Sequence, residues 1–171
     1  TRVGDILRDG SDGFSGLYLK RVNGGVRASL QADRVFEPAS MIKVLHHTHA
    51  FIQVRDNVID LDDLIPTFSG NANDCPVDTI PFNIQLQIAL QQMMEQSHNP
   101  RTQAIRTYFG EANINATAQD LGMTNTQLNH RIGCAGGPDG AIAQPNEFTL
   151  VDAGKLYEAV ADGLLQSGPL D

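Results

Sequence analysis

Strand-like sequence stops early in this chain. Gly13 to Val22 and Val26 to Ala32 read as two antiparallel strands, and Asn23-Gly24-Gly25 between them offers the positive φ of a tight turn. Every later pattern reads as helix or loop. A lone hairpin is marginal in water and needs further strands before helices can pack against a sheet. The 171 residues are therefore read as one incomplete α/β domain of the α+β kind. Residues 1–35 supply the first hairpin of an antiparallel sheet, residues 36–171 a helical subdomain, and sheet-forming sequence is missing after Asp171.

The helical block has recognisable punctuation. Pro38 stands near a helix start, and Met41, Val44, Leu45 and Phe51 are spaced to face a core until Asp56-Asn57. Asp60 to Ile65 is a short amphipathic piece that Pro66 stops, followed by loop composition from Ser69 to Pro76. Pro81 to Gln96 alternates at first, through Phe82, Ile84 and Leu86. Its continuation through Ala89, Leu90, Met93 and Met94 has the helical period, so the segment is read as helix with the methionines in the core. Helices are also predicted over Pro100–Phe109, Ile114–Leu121 and Phe148–Leu165, with Gly110 and Gly122 as stops and a Gly-rich loop from Gly133 to Pro145.

A net charge of −8 gives no basic stripe for phosphates, which argues against nucleic acid as a partner, and no apolar run reaches the ~18 residues of a membrane span. A small or neutral ligand fits better. Ser40-Met41-Ile42-Lys43 puts a hydroxyl and an amine on one face of a helix start. A desolvated lysine there can accept the serine proton. Ser-x-x-Lys alone is expected about once by chance in a chain of this length. Ser97-His98-Asn99 adds a second hydroxyl and an amide at the junction of two helices, where Ser69-Gly70-Asn71 is a weaker copy in a loop.

The order hairpin, Phe36-Glu-Pro-Ala-Ser40-Met-Ile-Lys43, then Met93-Met-Glu-Gln-Ser97-His-Asn99, Leu121-Gly-Met-Thr124 and a late helix resembles the penicillin-recognising serine hydrolases. The nearest resemblance is to class A β-lactamases. The resemblance implies a β-lactamase-like fold and a serine hydrolase forming an acyl-enzyme with β-lactams or D-alanyl-D-alanine-type amides and esters. It makes Ser40 the nucleophile, Lys43 its proton relay, Ser97 the bridge from Lys43 to the leaving nitrogen and Asn99 the holder of the substrate carbonyl. It also implies an extracytoplasmic bacterial location, without cofactor or metal.

Three departures qualify the match. His98 replaces the aspartate of Ser-Asp-Asn, giving the looser Ser-x-Asn of penicillin-binding proteins, and is read as a solvent-facing turn residue. No Glu-x-x-Leu-Asn is present: Arg131 to Thr149 holds only Asp139 and Glu147, the latter read as complementing a helix N-terminus. No Lys-Thr-Gly exists, so either the sequence is a fragment or a second polypeptide supplies the motif with the missing strands, and a non-catalytic binding domain or a carboxypeptidase or esterase without β-lactam turnover are the alternatives. His46, His47 and His49 are read as solvated helix residues rather than metal ligands, and the Asn115-Ala-Thr117 sequon is discounted. Cys75 and Cys134 leave pairing open.

Overall fold

The computed structural model describes residues 14–68, 81–132 and 144–165. The predicted hairpin is β1 (Leu17–Lys20) and β2 (Val26–Leu30), antiparallel, with Leu17 opposite Leu30 and an irregularity between Leu19 and Lys20. Its turn takes the positive φ at Asn23, at +52°, rather than at either glycine.

Five α-helices follow among the described residues: α1 (Lys43–Arg55), α2 (Leu86–Glu95), α3 (Asn99–Phe109), α4 (Glu111–Asp120) and α5 (Leu150–Ala161). The hairpin lies on α5, and Gly154 permits the approach: a Cβ there would stand 2.5 Å from Tyr18 Cε1. A tighter 3₁₀ turn, Ala39–Ile42, leads into α1.

A second sheet corrects the sequence reading. β3 (Leu64–Phe68) pairs antiparallel with β4 (Pro81–Gln85), Leu64 facing Gln85 and Phe68 facing Pro81. The early alternation of Phe82 and Ile84 is thus strand, and helix starts only at Leu86. Pro66 does not stop the Asp60–Ile65 piece; it sits inside β3, where Ile65 and Thr67 are buried between exposed neighbours. Both members of a two-stranded ribbon are edge strands, and an edge tolerates a residue without N–H.

Two apolar clusters meet at α1. Ile42 and Leu45 pack with Ile114, Met123, Leu128, Phe148 and Leu156, while Ala50 packs with Ile65, Leu86, Leu90, Met93 and Ile105. Serving both, α1 has little solvent face. His46 and His49 are buried rather than solvated, with Nδ1 atoms at 3.1 Å from Ile42 O and 2.7 Å from Thr117 Oγ1. Burial pushes the His46 pKa down to about 4. His47 is half-buried against the Phe51 ring. Met93 is core as expected, whereas Met94 is exposed.

Asn115 is structural: its side chain donates to Leu128 O and accepts from Leu128 N. The Glu147 backbone bridges to Gln127, and at the α5 start Thr149 accepts the Asp152 N–H, with the Asp152 side chain buried in the first turn. Cys75, Cys134, Asp139, Ser69-Gly70-Asn71 and residues 133–143 of the Gly-rich loop lie outside the described residues. No helix among the described residues is long and apolar enough to cross a membrane.

Candidate active site

Ser40 is exposed on the 3₁₀ turn, one position after Ala39, whose φ is +48°. A side chain in the left-handed region is strained by about 1–2 kcal/mol, so surrounding contacts must hold this turn. Lys43 opens α1, one turn beneath, and is only 2% exposed. Across from them, the chain leaves α2 and enters α3 through Gln96-Ser97-His98, with Ser97 at a φ of +54°. Asn99 is the first residue of α3, followed by a proline in the first turn, where its missing N–H costs little.

These positions converge. Lys43 Nζ donates to Ser97 O at 2.6 Å, Ser97 Oγ at 2.9 Å and Asn99 Oδ1 at 2.6 Å. Ser97 Oγ in turn lies 3.0 Å from Ser40 Oγ. All four residues singled out in the sequence therefore share one site. One detail differs from expectation: among the described residues, hydrogen bonding joins Lys43 to Ser40 through Ser97.

Three acceptors match the three protons of an ammonium, yet burial lowers the Lys43 pKa to about 8 from 10.5. When the amine is neutral, its lone pair can take a proton from Ser97 Oγ, which can take one from Ser40. The chain of hydroxyls thus runs in either direction with the charge on Lys43. Asn99 is also oriented by the lysine, because only its carbonyl oxygen can accept that bond.

His98 is half-buried rather than solvent-facing. Its Nδ1 has no hydrogen-bond partner among the described residues. Desolvation, with smaller contributions from Arg101 and Lys43, pushes its pKa below the ordinary value. The sequence reading missed two residues beside this turn: Gln92, whose backbone carbonyl accepts the N–H groups of Gln96 and His98, and Arg101, whose Nε donates to the Gln92 side chain. Arg101 carries one sequence signal: no acidic residue stands three or four positions from it on the helix. Among the described residues no three of histidine, cysteine, aspartate and glutamate gather as a metal site.

A family model described as the β-lactamase enzyme family matches residues 1–170. The chain belongs to this family. Three solved structures share its β-lactamase fold. A β-lactamase from Chitinophaga pinensis superposes with a TM-score of 0.80 at 17% identity, over 97% of this chain and 63% of that one. A mutant of PBP-A, solved as an acyl-enzyme complex with penicillin G, gives 0.80 at 20% identity over 97% and 62%. The D-alanyl-D-alanine carboxypeptidase DacD from Francisella tularensis gives 0.70 at 19% identity over 92% and 38%. The chain thus spans less than two thirds of the length of each of these relatives. No curated protein sequence matches it.

Proposed function

We propose that the protein is a serine hydrolase that forms an acyl-enzyme on Ser40. The observation carrying this reading is the Lys43–Ser97–Ser40 hydrogen-bond chain around a buried lysine whose pKa is lowered to about 8. Neutral Lys43 takes the proton of Ser97, Ser97 takes that of Ser40, and Ser40 Oγ bonds to the substrate carbonyl carbon. The carbonyl pair moves onto oxygen, where the Ser40 backbone N–H gives part of the stabilisation. As the C–N bond breaks, the proton returns through Ser97 to the leaving nitrogen. Asn99 holds the amide carbonyl of the substrate.

Family membership and the fold shared with a penicillin-acylated PBP-A and a D-alanyl-D-alanine carboxypeptidase support β-lactams and D-alanyl-D-alanine-type amides or esters as substrates, and an extracytoplasmic setting. The sequence has neither Lys-Thr-Gly nor Glu-x-x-Leu-Asn. The missing Glu-x-x-Leu-Asn, whose glutamate activates the deacylating water in class A enzymes, makes slow deacylation the expected outcome.

Denaturing intact-mass spectrometry before and after benzylpenicillin, on the wild type and Ser40→Ala, tests the reading. A penicilloyl adduct present in the first and absent in the second supports it, and the untreated spectrum reports any second polypeptide. No adduct on the wild type would make a non-catalytic binding domain the better account.

A further inference from the structure

Arg101 is 8% exposed, and none of its hydrogen bonds goes to a carboxylate among the described residues. Burying a cation among neutral groups is costly unless every donor is aimed at an acceptor. Here Nε donates to Gln92 Oε1 at 2.7 Å, and Nη1 donates to Thr67 Oγ1 at 2.8 Å and Phe68 O at 3.1 Å. The guanidinium carbon stands 5.1 Å from the centre of the Phe82 ring. One side chain in the first turns of α3 thereby joins the end of α2 to both strands of the β3–β4 ribbon.

Gln92 completes the arrangement from the other side. Its backbone carbonyl accepts the N–H groups of Gln96 and His98, at 3.1 and 3.2 Å, while its side chain receives Arg101. The segment gripped between these two residues is the one containing Ser97 and Asn99. Ser97 has its strained φ there, and its carbonyl, hydroxyl and the Asn99 amide are the three acceptors of Lys43. A left-handed serine persists only where neighbours over-determine it.

We propose that Gln92 and Arg101 form a clamp that positions Ser97 and Asn99 against Lys43. Both are positioning residues, acting through the turn they grip. The inference rests on the acyl-enzyme reading for its effect on rate, and on geometry alone for its effect on Lys43. Loosening the turn admits water and so relieves the desolvation that depresses the Lys43 pKa, which moves its titration up from about 8 towards 10.5. The other titratable groups that sense Lys43 are His46 on α1 and His98 in the turn. Both titrate below neutrality, so the alkaline step belongs to the lysine.

Two readouts on the full chain test this: the limiting rate of acylation by benzylpenicillin, and the Lys43 titration followed by NMR of ¹³Cε-labelled lysine, assigned with Lys43→Arg. Arg101→Met and Gln92→Leu should each slow acylation roughly 10- to 100-fold, as small misplacements of reacting groups do. Both should raise the Lys43 midpoint, whereas Gln92→Glu, which keeps an acceptor for Arg101, should match the wild type. Where Arg101→Met does not fold, Gln92→Leu loses only one bond and carries the test. Folded variants with an unchanged Lys43 midpoint overturn the clamp, whatever the acylation rate. A wild type that is never acylated overturns the functional reading, while the titration still decides the clamp.

Discussion

Removing the middle hydroxyl of the relay separates the proposed chemistry from the architecture that supports it. In Ser97→Ala, Lys43 keeps Ser97 O and Asn99 Oδ1, both at 2.6 Å, and loses only the Oγ bond. Its burial should persist, and the protein should lose about 1.5–3 kcal/mol, the worth of a hydrogen bond to a charged group. That lowers Tm by about 2–4 °C per kcal/mol in a chain of this size. The route from Ser40 to Lys43, in contrast, is broken. Positioned proton transfer contributes roughly 10²–10⁴ in rate, or about 3–5 kcal/mol of barrier, and acylation should slow by that factor. Ser97→Gly makes the same chemical deletion at a φ of +54°, where glycine is unstrained. It should therefore be as slow as the alanine variant yet about 1 kcal/mol more stable. Timed intact-mass spectra with benzylpenicillin give the rates, and thermal unfolding gives the stabilities. Ser97→Ala acylated at the wild-type rate would refute the relay, and Ser97→Gly less stable than Ser97→Ala would refute the strain.

Acylation should rise with pH through about 8 and then level, because the amine must be neutral to accept a proton; a rate profile with the step displaced well below neutrality would contradict this. The same depressed pKa makes the unfolded chain bind a proton that the folded chain lacks between about 8 and 10.5. The stability difference between the wild type and Lys43→Met should therefore shift in favour of the wild type across that window, read by urea unfolding. Ala39→Gly removes the strain at a φ of +48° and should raise stability by about 1 kcal/mol while the Ser40 adduct still forms. Asp152→Asn should cost about 3 kcal/mol in thermal unfolding, since buried Asp152 accepts from Asn125 N, Thr126 Oγ1 and Lys155 Nζ, and acylation of the remaining folded protein should be unaffected.

The helices and first hairpin were legible because turn residues punctuate them: Asn23 carries the hairpin turn, and Gly110 and Gly122, both at positive φ, end α3 and α4. The second ribbon was not. β4 runs straight into α2, so the period-two stretch of Phe82 and Ile84 is only as long as a strand needs and is outweighed by the helical run after it. Pro66 strengthened the error, since proline ends helices but merely restricts strands to edges. The histidines of α1 were misplaced for a related reason. A helix between two cores has no polar face, and polar residues such as His49 are retained there by partners far along the chain, Thr117 in this case.

In the site, residue type and spacing were enough to nominate Ser40, Lys43, Ser97 and Asn99, because acyl transfer restricts which groups can act. Their connection was not readable, since it depends on two backbone strains, at Ala39 and Ser97, that no residue type announces. Nor was the fate of the nearby carboxylates. Glu37 lies three positions before Ser40 and is the nearest acid in sequence, but its oxygens are turned to His130 Nε2 at 3.1 Å and Asn146 Nδ2 at 3.4 Å. Asn146 also accepts the N–H groups of Asn129 and His130, so the carboxylate braces the segment behind the nucleophile. Glu147, the other candidate, is tied to Gln127 through its backbone. Among the described residues no carboxylate is hydrogen-bonded to Ser40, Lys43 or Ser97, whose bonds run to one another and to Asn99. A general base for water is thus not among their partners, while a base for the serine is. The base for the serine is what the proposed acylation needs, and its place beside Ser97 and Ser40 supports formation of the penicilloyl ester.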